Sequence, residues 1–188
     1  MKMETEKTEK FITGERLYLR QLLLSDAKGP YRFWFNEQET CMGNAHGVFP
    51  MSDSSIESYI NSLSENKNSL VLAIMLPESN IHIGNISLQS IDYKNRRAEM
   101  AIMLGDKNHW GKGYGLEACK MIIKHGFNNL NLHTVYCGTF SNNIGMQKIA
   151  KKLGMRQEGT RKDAFFKEGV YLDVVEYGIL KKEWKVNQ

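Results

Sequence analysis

The sequence predicts a single α/β domain built on a mixed, mainly antiparallel sheet of six to seven strands, flanked by about four helices. Apolar segments of strand length alternate with segments of helical periodicity. Turn residues separate these segments directly, with no linker and no internal repeat. The length of 188 residues, 41% of them hydrophobic and 24% charged, suits one domain with a sizeable core.

The N-terminal half is predicted to hold one strand, two helices and a hairpin. Capping residues, apolar periodicity and a proline turn set the limits of these segments. They are strand Leu17 to Leu22, a helix capped by Ser25-Asp26 that runs toward Phe35, a helix that begins at Ser52, and strands Leu70 to Leu76 and Ile81 to Ile91.

The C-terminal half alternates strands and helices and ends in a hairpin. Its segments are strand Arg97 to Leu104, a helix that begins near Leu116, strand His133 to Thr139, a helix capped by Ser141-Asn142, and a hairpin turned at Glu168-Gly169 with second arm Tyr171 to Leu180.

Composition excludes several classes of protein. The first ten residues are charged and lack an apolar stretch, so we expect residues 1–10 to be a disordered leader and residues 11–185 to form the domain. No apolar run approaches ~18 residues, and the three cysteines show no C-x-x-C spacing. A mild net charge of +4 without basic runs argues against nucleic-acid binding. We therefore expect a cytoplasmic protein without a metal or a membrane association.

The most informative segment is N-H-W-G-K-G-Y-G-L-E-A, from Asn108 to Ala118, between a predicted strand and a predicted helix. Gly111, Gly113 and Gly115 remove the side chains that would keep a diphosphate away from the backbone. The helix N-terminus adds unpaired N–H groups and the positive end of its dipole. The pattern predicts a phosphate-binding loop, and the alternative is a tight strand-to-helix turn.

The spacing of this loop excludes two common phosphate motifs. A Walker A loop needs Ser or Thr after its Lys, whereas Gly113 follows Lys112, and a dinucleotide fingerprint needs G-x-G-x-x-G rather than G-x-G-x-G. The loop instead resembles the acetyl-CoA loop of the GNAT superfamily of N-acetyltransferases, [Q/R]-x-x-G-x-[G/A]. Trp110 stands where that family usually has Gln or Arg, and W-G-K-G-Y-G-x-E-A is similar to the variant of the ribosomal-protein and polyamine acetyltransferase branch.

The resemblance covers most of the chain, from R-L-Y-L-R at Arg16 to I-L-K-K-E-W ending at Trp184. It includes the element from Asn143 to Met155 and the closing hairpin from Glu158 to Val174. It implies a GNAT-like fold, acetyl-CoA as cosubstrate, and a gap between splayed strands for the pantetheine arm. The cofactor-binding residues implied are Met103, Leu104, Trp110, Gly111, Lys112, Gly113, Tyr114, Gly115 and Asn143, although Asn143 is also an ordinary helix cap.

Acyl transfer to an amine requires a base, because a lysine-like amine with a pKa near ~10.4 is mostly protonated at neutral pH. The resemblance makes Glu99 the candidate base, acting through water, and the alternative is a salt bridge from Glu99 to Arg96 or Arg97. It also implies that a main-chain N–H near Met103 meets the developing oxyanion.

The residue that protonates the leaving thiolate is not determined. Many family members place a Tyr where this chain has Ala150. Ser141 or Tyr136 could substitute, or the reaction could run without a dedicated acid.

The acceptor is an amine of undetermined identity. Between Arg32 and Lys67 the chain has no Lys or Arg, and its acids could attract a cationic amine or simply solvate two helices. We expect Glu37, His46 and Arg96 to contact the acceptor. Acetyl transfer to a protein N-terminus, a polyamine or another small amine is the favoured function, with a possible homodimer. The alternatives are transfer to a nucleotide-linked amino sugar, which Arg96, Arg97, Arg161 and Lys162 would bind, and a non-catalytic acyl-CoA-binding module.

Overall fold

The computed structural model describes residues 9–184. The predicted leader therefore lies outside the described residues except for Glu9 and Lys10, which are both exposed. Residue 185, the predicted end of the domain, also lies outside them.

The described chain forms eight strands in one sheet. They are β1 (Ile12–Thr13), β2 (Tyr18–Gln21), β3 (Leu70–Leu76), β4 (Ile81–Asp92), β5 (Arg97–Leu104), β6 (Thr134–Phe140), β7 (Arg156–Lys167) and β8 (Val170–Leu180). The α-helices are α1 (Tyr31–Trp34), α2 (Gln38–Cys41), α3 (Asp53–Leu63), α4 (Tyr114–Asn128) and α5 (Ile144–Lys152). Three short 3₁₀ helices occupy Leu24–Lys28, Lys107–His109 and Lys181–Glu183.

The sheet confirms the predicted class. Its strand order is β1-β2-β3-β4-β5-β6-β8-β7, and every neighbouring pair is antiparallel except β5 with β6. The strand beyond the predicted six to seven is β1, which has two residues and pairs with β2.

A wedge-shaped gap opens between β5 and β6. The two parallel strands pair only at Arg97 with Thr134, Ala98 with Val135 and Glu99 with Tyr136. Beyond Glu99, β5 continues to Leu104 while its pairing to β6 ends. The gap therefore widens toward the carboxyl ends of both strands, where the glycine loop follows β5.

Two apolar cores cover the two faces of the sheet. The core under α4 and α5 includes Ala98 and Met100 of β5 together with Ile122 of α4. The core under α1 and α3 includes Trp34 and Ile56. Alternation along β5 therefore turns Glu99 away from α4.

The prediction of one continuous first helix is wrong, because the structure has two short helices there. Leu24–Lys28 is a 3₁₀ helix, and α1 starts only at Tyr31. Pro30 explains the break, because proline disfavours helical backbone at the residue before it, and Gly29 is extended with φ −90° and ψ −162°.

The other predicted boundaries shift by a few residues or hold. Helix α4 starts at Tyr114 rather than near Leu116, and Asn143 rather than Ser141-Asn142 caps α5. The predicted hairpin turn is confirmed: Glu168 and Gly169 both have positive φ, 51° and 83°, as a two-residue turn of this kind requires.

Candidate active site

The glycine loop joins the end of β5 to α4. Gly111 and Gly113 have φ of 72° and 85°, in the left-handed region that glycine adopts without strain. Gly113 is the N-cap residue of α4 and has no side chain to bond the first-turn N–H groups. Backbone N–H groups and the helix dipole are therefore directed at the loop, as a diphosphate would require.

Gly115 has a different role from its two neighbours. It is buried, and a Cβ built there would lie 3.3 Å from the side chains of both Leu104 and Ile149. The missing side chain lets the first turn of α4 pack against β5 and α5. Gly115 thus serves packing, and the predicted direct approach of this position to a cofactor stays a prediction.

Arg16 supports the loop from the outside. Its Nη1 donates to the carbonyl of Lys112 at 3.0 Å, and its Nε pairs with Glu117 at 2.9 Å. Its guanidinium lies 4.9 Å from the centre of the Tyr114 ring. Arg16 thus places a positive charge beside Gly113, a role that the sequence analysis missed although it quoted this residue. Lys112 itself is exposed.

A surface groove of about 620 Å³ runs along the outer side of α4. It lies beside the loop and not in the wedge gap between β5 and β6. Among the residues that line it are Arg16, Lys120, Lys124 and Lys152. These cations give the loop a positive flank, which suits an anionic cofactor.

Two tryptophans hold the end of β5. The indole Nε1 of Trp110 donates to the carbonyl of Leu104 at 2.8 Å. On the other side, the Trp34 ring packs so closely on Gly105 that any side chain there would collide with it. Trp110 therefore fastens the loop to the strand, which accounts for an aromatic residue at this position.

The register shows which amides of β5 face the gap. The N–H of Gly105 donates to Ile83 of β4 at 3.0 Å. Hydrogen-bonding direction alternates along an antiparallel strand, so the N–H of Met103 also points toward β4. The amides directed into the gap are those of Ile102 and Leu104. Next to Met103, the amide that faces the gap is that of Leu104, and its contact with the developing oxyanion stays a prediction.

Glu99 lies where pairing between β5 and β6 ends. It is half-buried and faces away from α4. The alternative salt bridges are not formed, since Arg96 donates to Asn131 and Arg97 pairs with Asp92 at 3.7 Å. Within residues 9–184 Glu99 has no ion pair. A carboxylate in this position remains available as a base.

Tyr136 and Ser141 lie at different places along the gap. Tyr136 is the cross-strand partner of Glu99, and burial, followed by the nearby Glu99 charge, raises the pKa of its phenol. Ser141 follows the end of β6, about 17 Å further along an extended strand. Only one of them can reach a given thiolate. The position of the usual family Tyr, Ala150, is fully buried and carries no acid.

Asn143 is a helix cap. Its side-chain oxygen accepts the N–H of Met146 at 3.0 Å, and its Nδ2 donates to the carbonyl of Gly43 at 3.1 Å. The capping alternative is thus formed, and contact with the cofactor stays a prediction.

Three acids of the α1–α3 region, Glu37, Glu39 and Asp53, are already paired. Lys107 bonds Glu37, and it bonds Glu39 at 2.8 Å. These bonds, with that to Glu37 first, raise the pKa of Lys107 to about 12. Asp53 pairs with Arg32 at 3.0 Å. Cations from outside the run without Lys or Arg therefore pair with these three acids, and attraction of a cationic amine by this region stays a prediction.

Residues 37–46, named here the strap, run from α2 into the following loop. Lys167, at the tip of the β7–β8 hairpin, donates to the carbonyls of Cys41, Asn44 and His46 at 2.6, 2.7 and 3.1 Å. With Lys107 at its start and Asn143 bonded to Gly43, the strap is tied to both sides of the gap. It therefore spans the mouth of the wedge.

His46 ends the strap and packs on an aromatic ring. Its imidazole lies 4.7 Å from the Phe35 ring, edge to face. Desolvation there, and then the charge of Lys167, lower the pKa of His46. His46 is nevertheless exposed, and its contact with the acceptor stays a prediction.

Arg96 is not with Glu37 and His46, contrary to expectation. It lies at the turn before β5, at the opposite end from the glycine loop, and its guanidinium is bonded to Asn131. The other cations proposed for a nucleotide sugar, Arg97, Arg161 and Lys162, pair with Asp92, Glu176 and Asp173. Among residues 9–184, none of the four cations proposed for such a substrate is left without a partner.

The family follows from comparison with known proteins. The profile described as an acetyltransferase (GNAT) domain matches residues 16–156. The chain belongs to the GNAT family. It is an acyltransferase, and its cosubstrate is acetyl-CoA, which the glycine loop and the wedge gap fit.

Relatives agree with this assignment. The chain is 32% identical over 174 residues to the N-acetyltransferase p20 of Bacillus licheniformis, covering 90% of this chain and 96% of the relative. It is 31% identical over 101 residues to the spermidine N(1)-acetyltransferase of Escherichia coli, covering 54% of each. The Vibrio cholerae spermidine N-acetyltransferase, solved with CoA and spermine, superimposes with a TM-score of 0.83 at 24% identity, covering 90% of this chain and 98% of that one. At that identity the likeness is one of fold.

Residues 9–184 contain no group of three or more His, Cys, Asp or Glu side chains that could hold a metal ion. In the same part of the chain, no helix has the length and apolarity needed to cross a bilayer.

Proposed function

We propose that this GNAT enzyme transfers the acetyl group directly to a primary amine of a small molecule or peptide, with Glu99 as the base. The observation that carries this proposal is the position of Glu99. It lies at the vertex of the wedge gap, faces the side opposite α4, and has no ion pair among residues 9–184. The acceptor therefore approaches the vertex from the face opposite the cofactor loop.

Each residue around the gap has a separate role in the proposed reaction. Acetyl-CoA supplies the thioester. The loop N–H groups and Arg16 hold its phosphates, and the N–H of Leu104 faces the position where negative charge develops on the thioester oxygen. Glu99 accepts the surplus proton of the amine through water. Ser141 lies five residues past the vertex on β6, as Leu104 does on β5, so it is better placed than Tyr136 to protonate the thiolate.

Similarity to polyamine acetyltransferases supports a cationic amine as acceptor. The E. coli relative acts on spermidine, and the V. cholerae structure holds spermine. A protein N-terminus is the other primary amine of this class. We further propose a cytoplasmic location and self-association, for which the dodecamer of the V. cholerae enzyme is a precedent.

Substitution Glu99→Gln tests the proposed base, because it keeps shape and removes basicity. Measured by thiol release from acetyl-CoA with a panel of primary amines, kcat should fall on the order of a hundredfold, while the CoA dissociation constant hardly moves. Glu78→Gln, in the exposed β3–β4 turn, makes the same charge change away from the gap and should leave kcat unaltered.

Two results would contradict the proposal. Full activity of the Glu99→Gln enzyme removes Glu99 as the base. Absence of thiol release by the unaltered protein with every amine in the panel supports the non-catalytic alternative instead.

A further inference from the structure

Thr139 lies on β6 where that strand has separated from β5. Pairing with β5 ends at Tyr136, and Thr139 comes three residues later, about 10 Å further along an extended strand. The opposite edge of β6 remains in the sheet, since Thr139 is the cross-strand partner of Val175 in β8. At Thr139 one edge of β6 therefore borders the gap.

The side chain of Thr139 lies on the face of the sheet that α4 and α5 cover. Alternate residues of a strand share a face, and Val135 and Cys137 belong to the core under these helices. The cross-strand partner, Val175, belongs to the same core. Thr139 itself is 5% exposed. Its hydroxyl is therefore enclosed on an apolar face.

The hydroxyl of Thr139 has no hydrogen-bond partner. Among residues 9–184 no group donates to its Oγ1 or accepts from it, although this oxygen is buried. A buried hydroxyl without a hydrogen bond destabilises a protein, so such a group calls for a physical explanation. A ligand that supplies the missing partner is one such explanation, and the gap beside Thr139 is a route for a ligand.

The pantetheine arm of acetyl-CoA joins the diphosphate to the thioester. The glycine loop follows the end of β5, and Glu99 lies at the vertex, so the arm runs along the gap between these two points. Ile102 and Leu104 border this route on the α4 face of β5, and both are only partly buried. Thr139 borders it on the same face of β6. The amide groups of the arm therefore pass an apolar lining that contains one unpartnered hydroxyl.

Resting on the acetyl transfer proposed above, we propose that Thr139 binds the pantetheine arm through a hydrogen bond between its hydroxyl and an amide of the arm. On entering the gap, the arm takes the place of apolar side chains that enclose this hydroxyl. Thr139 thus contributes to cofactor affinity and takes no part in proton transfer.

Substitution Thr139→Val tests this contact, because valine keeps the shape of the side chain and lacks the hydroxyl. Calorimetry should show that CoA affinity is about fivefold lower in the variant. The affinity for 3′-phosphoadenosine 5′-diphosphate, which carries the nucleotide without the arm, should be unchanged. In the thiol-release assay the KM for acetyl-CoA should rise, while kcat at saturation hardly moves.

Stability gives a readout that a purely structural role would move in the opposite direction. Because the hydroxyl has no partner in the free protein, Thr139→Val should unfold at the same temperature or a higher one by circular dichroism. Thr139→Ser keeps the hydroxyl and should retain CoA affinity. Thr134→Val is the matched control, since Thr134 lies on the part of β6 that pairs with β5, and it should leave CoA affinity unaltered.

Some outcomes would overturn the role of Thr139. Equal CoA affinity in Thr139→Val and the unaltered protein removes the contact with the arm. A lower unfolding temperature with equal losses of affinity for CoA and for the nucleotide shows that the hydroxyl serves the fold. A fall in kcat at unchanged CoA affinity assigns the hydroxyl to the chemical step and not to binding.

The calorimetric test is independent of the proposed function, because CoA binding is measured without an amine. If Thr139→Val binds CoA normally, the transfer to a primary amine stands and the role of Thr139 falls. If the unaltered protein releases no thiol with any amine, the proposed function falls, and the difference in CoA affinity still decides the role of Thr139.

Discussion

The glycines of the site act for different physical reasons. Gly113 is required by its backbone conformation, with φ of 85°, whereas Gly115 is required by packing against Leu104 and Ile149. Gly105 is required because the Trp34 ring lies against it. The first two are visible in the sequence as a spaced pattern before a helix. The role of Gly105 was not visible, since its constraint comes from a residue distant in sequence.

Substitution Gly113→Glu tests the loop at the scale of one residue. A carboxylate there would meet the cofactor phosphates, and we expect CoA affinity to fall at least tenfold, or about 1.4 kcal/mol, by calorimetry. Gly169→Glu is the matched control: position 169 has nearly the same φ, 83°, and lies in the hairpin turn. Both variants carry equal backbone strain and charge, so equal CoA affinities would remove the loop from the cofactor site.

At the scale of elements, the strap shows what a composition count misses. The run without Lys or Arg from Arg32 to Lys67 is real, yet Lys107 and Lys167 reach the strap from other parts of the chain. The sequence shows where the acids are. It does not show which cations pair with them, because ion pairing between distant segments depends on the fold. The broken first helix is different, because Pro30 was a readable signal.

Lys167→Met tests the tie between hairpin and strap. Loss of the ammonium leaves three backbone carbonyls without their donor, and we expect amides of residues 41–46 to exchange hydrogen several-fold faster by mass spectrometry. Lys162→Met, on the same strand but paired with Asp173, should not change exchange in the strap. Identical hydrogen exchange of the strap amides in the two variants would show that Lys167 does not hold the strap.

At the scale of the whole molecule, the strands and helices were predictable from periodicity, and the gap was not. Residues Arg97 to Leu104 form β5 as predicted. That its pairing with β6 stops at Glu99 is a property of two strands separated by a helix. Only the family resemblance implied splayed strands there.

The Arg20–Asp26–His82 cluster joins three parts of the fold. Arg20 of β2 and Asp26 of the first 3₁₀ helix are 4% and 8% exposed, and two bonds of 2.7 Å connect them. His82 of β4 lies 3.5 Å from Asp26. Burial alone would raise the pKa of Asp26, but the two bonds from Arg20 and then the nearby His82 ring outweigh it and hold this pKa well below its ordinary value.

This depressed pKa makes part of the stability depend on pH. A carboxyl whose folded pKa is lowered stabilises the fold above its ordinary pKa, near ~3.9, and loses that contribution as pH falls further. Asp26→Asn leaves Arg20 buried without its counter-ion, so at pH 7 it should destabilise the fold by about 3–5 kcal/mol. Thermal unfolding followed by circular dichroism should show that the difference in stability between the two proteins shrinks from about pH 4 downward.

Asp53→Asn, which breaks the exposed pair with Arg32, is the control and should destabilise the fold by less than about 1 kcal/mol. The difference in stability between the Asp26→Asn variant and the unaltered protein could instead stay constant down to the lowest pH. That result would mean that the Asp26 charge does not contribute to stability.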